Sequence, residues 1–270
     1  MLIDCFPFFN ELDLLDIRLH ELDEIVDYFI IAEANKTQSL IDKPFFLETN
    51  MDRFAKFKKK IIYLKITECP SNDGNLWTME NFQRNYLING LSQLKIHATD
   101  RIMISDLDEI PNAKVLKNAL DNDYRDLDVF TCDIDFFVYF MNLKAKNKIW
   151  PGTAVFKPEL LQRATIQNIK DGKNHYQKLP NAGWHLSWLG GYKKIIEKAY
   201  SCIEPYDKTK IPSEEQFKVY FDQYLKNPDK KFIHIENLNM VGIELGIADD
   251  INYPSYVINN PHIYNKYFYK

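Results

Sequence analysis

Through the first hundred residues, short apolar runs alternate with amphipathic helical stretches, and this alternation most constrains the fold. Residues 2–6 form a short, mostly apolar run closed by Pro7. Leu12, Leu15, Leu19, Leu22 and Val26 then recur at steps of three and four, which is one face of a helix. Asn10 stands where an N-cap belongs, with Glu11 and Asp13 favouring the positive end of the helix dipole. Residues 28–32 are apolar throughout, as in a strand buried on both faces. Residues 61–66 and 101–105 read as a third and a fourth strand, and 77–94 as a second helix with Leu87, Leu91 and Leu94 along one side. Strand and helix in alternation predict an α/β fold, a mostly parallel central sheet flanked by helices.

The second half is less regular. It reads as a short helix over 113–120, β-rich residues over 129–141, and strands over 153–156 and 184–188. A helix runs from Gly190-Gly191 to about residue 202, and a last helix through 225 starts at a capping box of Ser213 and Gln216. No Ser- or Gly-rich linker interrupts the 270 residues, so a single domain is expected, with the Tyr-rich stretch 253–270 wrapping its body.

With 34 Lys and Arg against 38 Asp and Glu, the net charge is −4, which argues against a nucleic-acid binder. The opening residues lack the basic and apolar regions of a secretory signal, and no stretch has the ~18 apolar residues of a membrane span. Cys5, Cys69, Cys132 and Cys202 are far apart and read as reduced, buried thiols. The expectation is a cytoplasmic enzyme. The run Lys56, Lys58, Lys59, Lys60 reads as a solvated helix face, with a weak peripheral contact to an anionic membrane as the minority reading.

Four Asp-x-Asp triplets occur, at 106/108, 121/123, 126/128 and 133/135, so the bare pattern decides nothing. Only Asp106-Leu107-Asp108 directly follows an apolar strand, at the carboxyl edge of the expected sheet, where open α/β folds bind ligands. In extended chain both carboxylates point to one side and, with Glu109 adjacent, can hold a hard divalent cation. Such a cation would be Mn2+ or Mg2+. A plain polar turn is the competing reading. Asp133 and Asp135 interrupt an apolar strand and need partners or a site. A structural role and a substrate-facing role, such as catalytic base, stand side by side; Glu236 is a further acid that could serve as base. Glu33 ends the second strand, where a carboxylate either accepts from a ribose or base or caps the strand end. Arg84, inside the second helix, carries a forked guanidinium suited to a diphosphate. His185 lies between Trp184 and Trp188, as a third metal ligand with indoles for a sugar face, or as a histidine of an aromatic core.

Together these segments resemble glycosyltransferase family 17. The resemblance is carried by residues 4–18 (DCFPFFNELDLLDIR), by 26–34, by Gln83-Arg84-Asn85, by Ile104-Ser105-Asp106-Leu107-Asp108-Glu109-Ile110-Pro111 and by Gly183-Trp184-His185. It implies a Rossmann-like GT-A fold, a UDP-sugar donor (UDP-N-acetylglucosamine), a glycan acceptor, a divalent metal at the Asp-x-Asp and inversion at the anomeric carbon. It also implies a nucleotide-sugar-binding half over 1–111 and an acceptor half over 112–252. By the same resemblance Phe6, Asn10 and Glu11 border the uracil, Glu33 lies near the nucleoside, and Arg84 and Asn85 face the donor. Asp106 then touches ribose or metal, while Asp108 and His185 ligate the metal. Without an anchor or signal in the chain, the expected acceptor is a surface polysaccharide, lipopolysaccharide or other glycan rather than a protein N-glycan. Two competing readings remain: a non-catalytic glycan- or nucleotide-binding protein, and an aspartyl phosphatase. The second lacks a hydroxyl residue beside Asp108, where Glu109-Ile110-Pro111 follows.

Overall fold

The computed structural model describes residues 1–70, 75, 77–201, 211–226, 245–248 and 251–270. Strands β1 (Leu2–Phe8), β2 (Tyr28–Ala34), β3 (Ile61–Ile66) and β4 (Arg101–Ile104) lie parallel in the order β3-β2-β1-β4. Helix α1 (Leu12–Leu22) links β1 to β2 and buries Leu14, Leu15, Ile17, Leu19 and Leu22 against Phe6, Phe8, Phe29 and Ile31. Its N-cap is Glu11, without a side-chain cap bond, rather than Asn10. The Glu11 carboxylate instead turns back to accept the Asn10 backbone N–H at 3.0 Å.

After the short α2 (Phe46–Thr49), the expected second helix is two pieces, α3 (Thr78–Tyr86) and α4 (Ile88–Leu91). Past the break Gly90 lies close against the sheet, where a Cβ would stand 2.3 Å from the Ile30 side chain. The helix reaches that close to the sheet by tightening, with Leu87 N–H donating to Arg84 C=O and Gly90 N–H to Leu87 C=O. These helices cover the sheet face opposite α1.

Past β4 come β5 (Glu109–Pro111) and α5 (Ala113–Asp121), whose N-cap Asn112 accepts from Lys114 and Val115 N–H. Then follow β6 (Val129–Val138), β7 (Leu143–Phe156), α6 (Ile166–Asp171), β8 (Gln177–Leu179) and β9 (Gly183–Ser187). The sheet continues β4-β7-β6-β9-β5. Here the expectation of a mostly parallel sheet needs correcting. Pairs β4/β7, β6/β7 and β5/β9 are antiparallel, while β6/β9 and β6/β8 are parallel. The turn 139–142 between β6 and β7 is too short for a crossover, so these strands pair antiparallel. The fold is α/β, with a mixed sheet. Helices α7 (Gly191–Ser201) and α8 (Glu214–Lys226) pack with the β6–β7 turn in a second apolar cluster, and β10 (Leu245–Ile247) joins β7. The box of Ser213 and Gln216 forms as expected.

The end of the chain packs on α1 through α9 (Ser255–Asn259) and α10 (Pro261–Tyr264). Val257 and Tyr264 are buried there. Cys5 and Cys132 are buried free thiols, Cys69 is only half-buried, and Cys202 lies outside the described residues. Lys56 and Lys60 of the basic run pair with Asp23 at the end of α1. No helix among the described residues is long and apolar enough to cross a membrane.

Candidate active site

A cleft of about 290 Å³ opens at the carboxyl ends of β1 and β4. Its floor is Asp106-Leu107-Asp108, delivered there because β4 ends at Ile104 and the chain turns into β5. β5 pairs with β9 so that Glu109 lies opposite His185. Gly183 makes this approach achievable. Its φ is 148°, and a Cβ there would stand 2.1 Å from the Ile110 carbonyl oxygen, so only glycine fits. Leu186 N–H donates to the Asp108 carbonyl at 2.9 Å, locking the register beside the triplet.

His185 thereby reaches Asp108, with Nε2 3.4 Å from Oδ1. Its ring stacks on Phe136 at 4.9 Å and leans on Trp150, and its buried Nδ1 has no hydrogen-bond partner among the described residues. Lys198 of α7 stands 3.6 Å from the other Asp108 oxygen. Burial opposes charge on Asp108, but His185 and Lys198 outweigh it and hold the carboxyl at about 2.

Asp106 has different company. Arg84 donates to its Oδ1 at 2.7 Å and Lys170 lies 3.2 Å from its Oδ2. Burial is again overcome, by Lys170, Arg84 and Lys173, and the carboxyl titrates well below the usual range. Arg84 is itself buried and also bonds Glu80 and Gln167. Glu109 is fully buried and accepts from Trp150 Nε1, Lys170, Lys173 and the Asp106 N–H. It anchors the turn from behind.

The residues lining the cleft include four cations, Lys36, Lys43, Arg84 and Lys198, and four carboxylates, Glu11, Glu80, Asp106 and Asp108. Formal charge in the cleft therefore balances. A nucleoside diphosphate would enter without surplus positive charge unless a cation came with it. Asp108 and His185 lie 3.4 Å apart, the spacing of two donors bound at ~2.1 Å to one ion (about 3.0–3.4 Å), but among the described residues no third His, Cys, Asp or Glu joins them in a metal-holding group. Asp106 does not fit as a direct ligand, because both its oxygens face Arg84 and Lys170.

Several expected site residues lie elsewhere. Phe6 is fully buried, with the Arg18 guanidinium 4.5 Å from its ring centre. Glu33 is saturated by Lys43, Tyr63 and the Phe46 and Leu47 N–H groups, so the strand-end cap is the reading that holds. Asn85 accepts from Gln167 N–H, outside the cleft. Asn10 borders a minor pocket next door, which Glu11 and Lys198 share with the main cleft. Asp133 and Asp135 do not line the cleft, and Asp135 pairs with Lys144 at 2.6 Å. Glu236 lies outside the described residues. Trp188 lines the cleft, whereas Trp184 is buried and donates to the Asn252 carbonyl.

Residues the sequence reading missed are Lys198, Lys170, Lys173 and Gln83. Gln83 ties α3 to the ends of β1 and β2 through the Phe8 and Ala32 carbonyls. The capping box of Thr165 and Asn168 marks the start of α6, which carries Lys170, but nothing in the sequence marks that lysine as buried.

Residues 1–218 match the model of glycosyltransferase family 17. Over 223 residues the chain is 26% identical to a human β-1,4-mannosyl-glycoprotein 4-β-N-acetylglucosaminyltransferase, covering 69% of this chain and 41% of that protein. The rat protein of the same name is 25% identical, over 69% of this chain and 40% of its own. The chain thus spans about two fifths of the length of these relatives. Looser likenesses exist to a 4-diphosphocytidyl-2C-methyl-D-erythritol synthase from Anaerococcus prevotii (9% identity, 74% of this chain and 95% of that one, TM-score 0.41). Another is to a glycosyltransferase involved in glycosylation of the major capsid of PBCV-1 (11%, 64% and 66%, TM-score 0.30). The cytoplasmic placement expected above does not survive this comparison. The curated relatives are named for action on a glycoprotein, and a chain matching two fifths of them fixes no compartment by its own first residues.

Proposed function

The chain belongs to glycosyltransferase family 17, and on that premise we propose that its cleft transfers N-acetylglucosamine from UDP-N-acetylglucosamine to a glycan hydroxyl, with inversion and with help from a divalent cation. The observation that carries this reading is Asp108 facing His185 at the sheet edge, in a cleft whose own charges cancel. The acceptor of the named relatives, a β-1,4-mannosyl glycoprotein, is the first to try.

Asp108 and His185 would hold the cation, which supplies charge neutralisation to the departing diphosphate. Arg84 keeps Asp106 ionised and oriented, leaving the Asp106 carboxylate beside the donor rather than on the cation. Lys198 brings an ammonium to the same end of the cleft, where negative charge grows as the glycosidic bond breaks. Trp188 offers an indole wall for a sugar face. The acceptor oxygen attacks the anomeric carbon from the side opposite the diphosphate, and a base takes its proton. Asp133 and Asp135, which do not line the cleft, gain no support from it as that base.

Calorimetry of UDP with Mn2+ and with EDTA tests the reading. UDP should bind with Mn2+ and lose most of its affinity in EDTA, and Asp108→Asn should abolish transfer while staying folded. Equal UDP affinity in both buffers, or wild-type turnover by folded Asp108→Asn, would count against it.

A further inference from the structure

Arg18 is fully buried on α1, where the helix pattern calls for another leucine. Its Nε and Nη2 donate to the two oxygens of Asp4 at 2.8 and 2.7 Å. Nη2 also reaches Ser105 Oγ at 2.5 Å. Nη1 points at three backbone carbonyls: Asp106 at 3.0 Å, Leu107 at 3.2 Å and Glu109 at 3.0 Å. The carbonyl between them, that of Asp108, is taken by Leu186 N–H of β9. Every carbonyl from 106 to 109 is therefore held, three by one guanidinium, with Glu109 N–H also donating to the Asp106 carbonyl and Thr153 Oγ1 to that of Glu109, and one by the strand that carries His185.

Stability alone gives no reason for this arrangement. A buried ion pair is commonly no more stable than well-packed apolar side chains of the same volume. What the guanidinium adds is direction: a planar fork holds several acceptors in one fixed geometry, which a lysine ammonium cannot reproduce. Asp4 orients the fork by accepting from Nε and Nη2, and so frees Nη1 for the turn.

We infer that Arg18 is a positioning residue for the donor site: it fixes the 106–109 turn from behind, so that the Asp108 carboxylate meets His185 and the donor diphosphate. Its consequence for UDP binding rests on the function proposed above; the hold on the turn does not.

Arg18→Lys tests it, with Leu15→Ala as a comparator that weakens the same helix through a buried side chain making no hydrogen bond to the turn. Hydrogen exchange of peptides covering 104–111 reads the turn with no ligand present. UDP titration in Mn2+ reads the site. In Arg18→Lys, exchange at 104–111 should accelerate beyond the rest of the chain, and UDP affinity should fall about tenfold or more, as when a partner orienting a metal ligand is lost. Leu15→Ala should change exchange along α1 and leave UDP affinity within error at a temperature where it is folded. Wild-type exchange at 104–111 in Arg18→Lys overturns the inference, as does equal loss of UDP affinity in both variants. If Arg18→Lys does not fold, Ser105→Ala decides: local acceleration at 104–111 supports the inference and unchanged exchange overturns it. A wild-type protein that binds no UDP, with the turn loosened in Arg18→Lys, refutes the proposed function and keeps the positioning role.

Discussion

His185 joins two roles that looked exclusive in the sequence, core ring and candidate ligand. Its ring stacks on Phe136 and leans on Trp150, yet Nε2 faces Asp108. Removing the whole side chain would therefore mix a packing loss with loss of the donor atom. His185→Phe separates them, keeping an aromatic ring in the stack and deleting the nitrogen. The melting temperature should hold within a few degrees while Mn2+ affinity, followed by electron paramagnetic resonance, drops at least about tenfold. A large melting shift with unchanged Mn2+ affinity would mark His185 as core only. Arg84 differs in the same instructive way. From sequence it was an exposed fork for phosphate; in the structure it is buried between Glu80, Asp106 and Gln167. Arg84→Ala should thus destabilise the fold, toward the lower end of the ~3–5 kcal/mol seen when a buried pair loses one partner, because Asp106 is partly open to solvent. Chemical denaturation measures that directly. Asp106 and Asp108 were legible because a polar triplet straight after an apolar run has few structural explanations. Lys170 was not, since a buried lysine is spelled like an exposed one.

At the scale of elements, the order of strands and helices in the first half followed from periodicity, and β3 begins and ends where its apolar run does, while β1 and β2 run two residues past theirs and the second helix breaks at Leu87. The pairing of β5 with β9 did not, because a three-residue strand carries no periodic signal. Yet that pairing builds the site, since it brings His185 against the Asp-x-Asp turn. The clasp between α1 and the chain end was equally hidden, although the tail was read as wrapping the body. It consists of Asp13 and Asp16 on α1 meeting Arg53, Lys266, Tyr264 and Tyr267. Burial alone would raise both carboxyls. Tyr267, Lys266 and Arg53 on Asp13, and His20 and Arg53 on Asp16, reverse this and hold both below the usual 3.8. A carboxyl with a folded pKa below its unfolded one stabilises the fold above the unfolded value. It loses that contribution as pH falls through the folded one. Thermal melts should therefore show a loss between about pH 5 and about pH 2 that is smaller in Tyr267→Phe, where Asp13 keeps one donor fewer. Identical acid profiles for the two proteins would remove Tyr267 from the clasp.

Over the whole molecule, the parallel half was readable because β1, β2 and β3 are each followed by a helix, whereas the antiparallel half depends on turn lengths and on long-range pairing. The chain end links these halves. Besides packing on α1, it accepts from Met141 N–H at the Tyr267 carbonyl and exchanges two hydrogen bonds between Tyr269 backbone and the Asn142 side chain. Tyr253 donates to the Met141 carbonyl, and Tyr269 hydroxyl bonds Asp222 of α8. The Trp184 indole, one residue before His185, bonds the carbonyl of Asn252 at the root of this segment. Deleting residues 252–270 should therefore do two things. Stability should fall, because Val257 and Tyr264 are buried and each side chain of that size is worth about 1.5–3 kcal/mol. Together that is a large share of the roughly 5–15 kcal/mol that holds a typical domain folded. The donor site should also weaken, because β9 loses the brace beside its histidine. Scanning calorimetry should show a melting point lower by roughly 6–20 °C, and UDP should stabilise the truncated protein less than the full chain at the same concentration. If the truncated protein melts lower but gains as much from UDP, the tail supports the body without reaching the site, and the brace through Trp184 is not transmitted to His185.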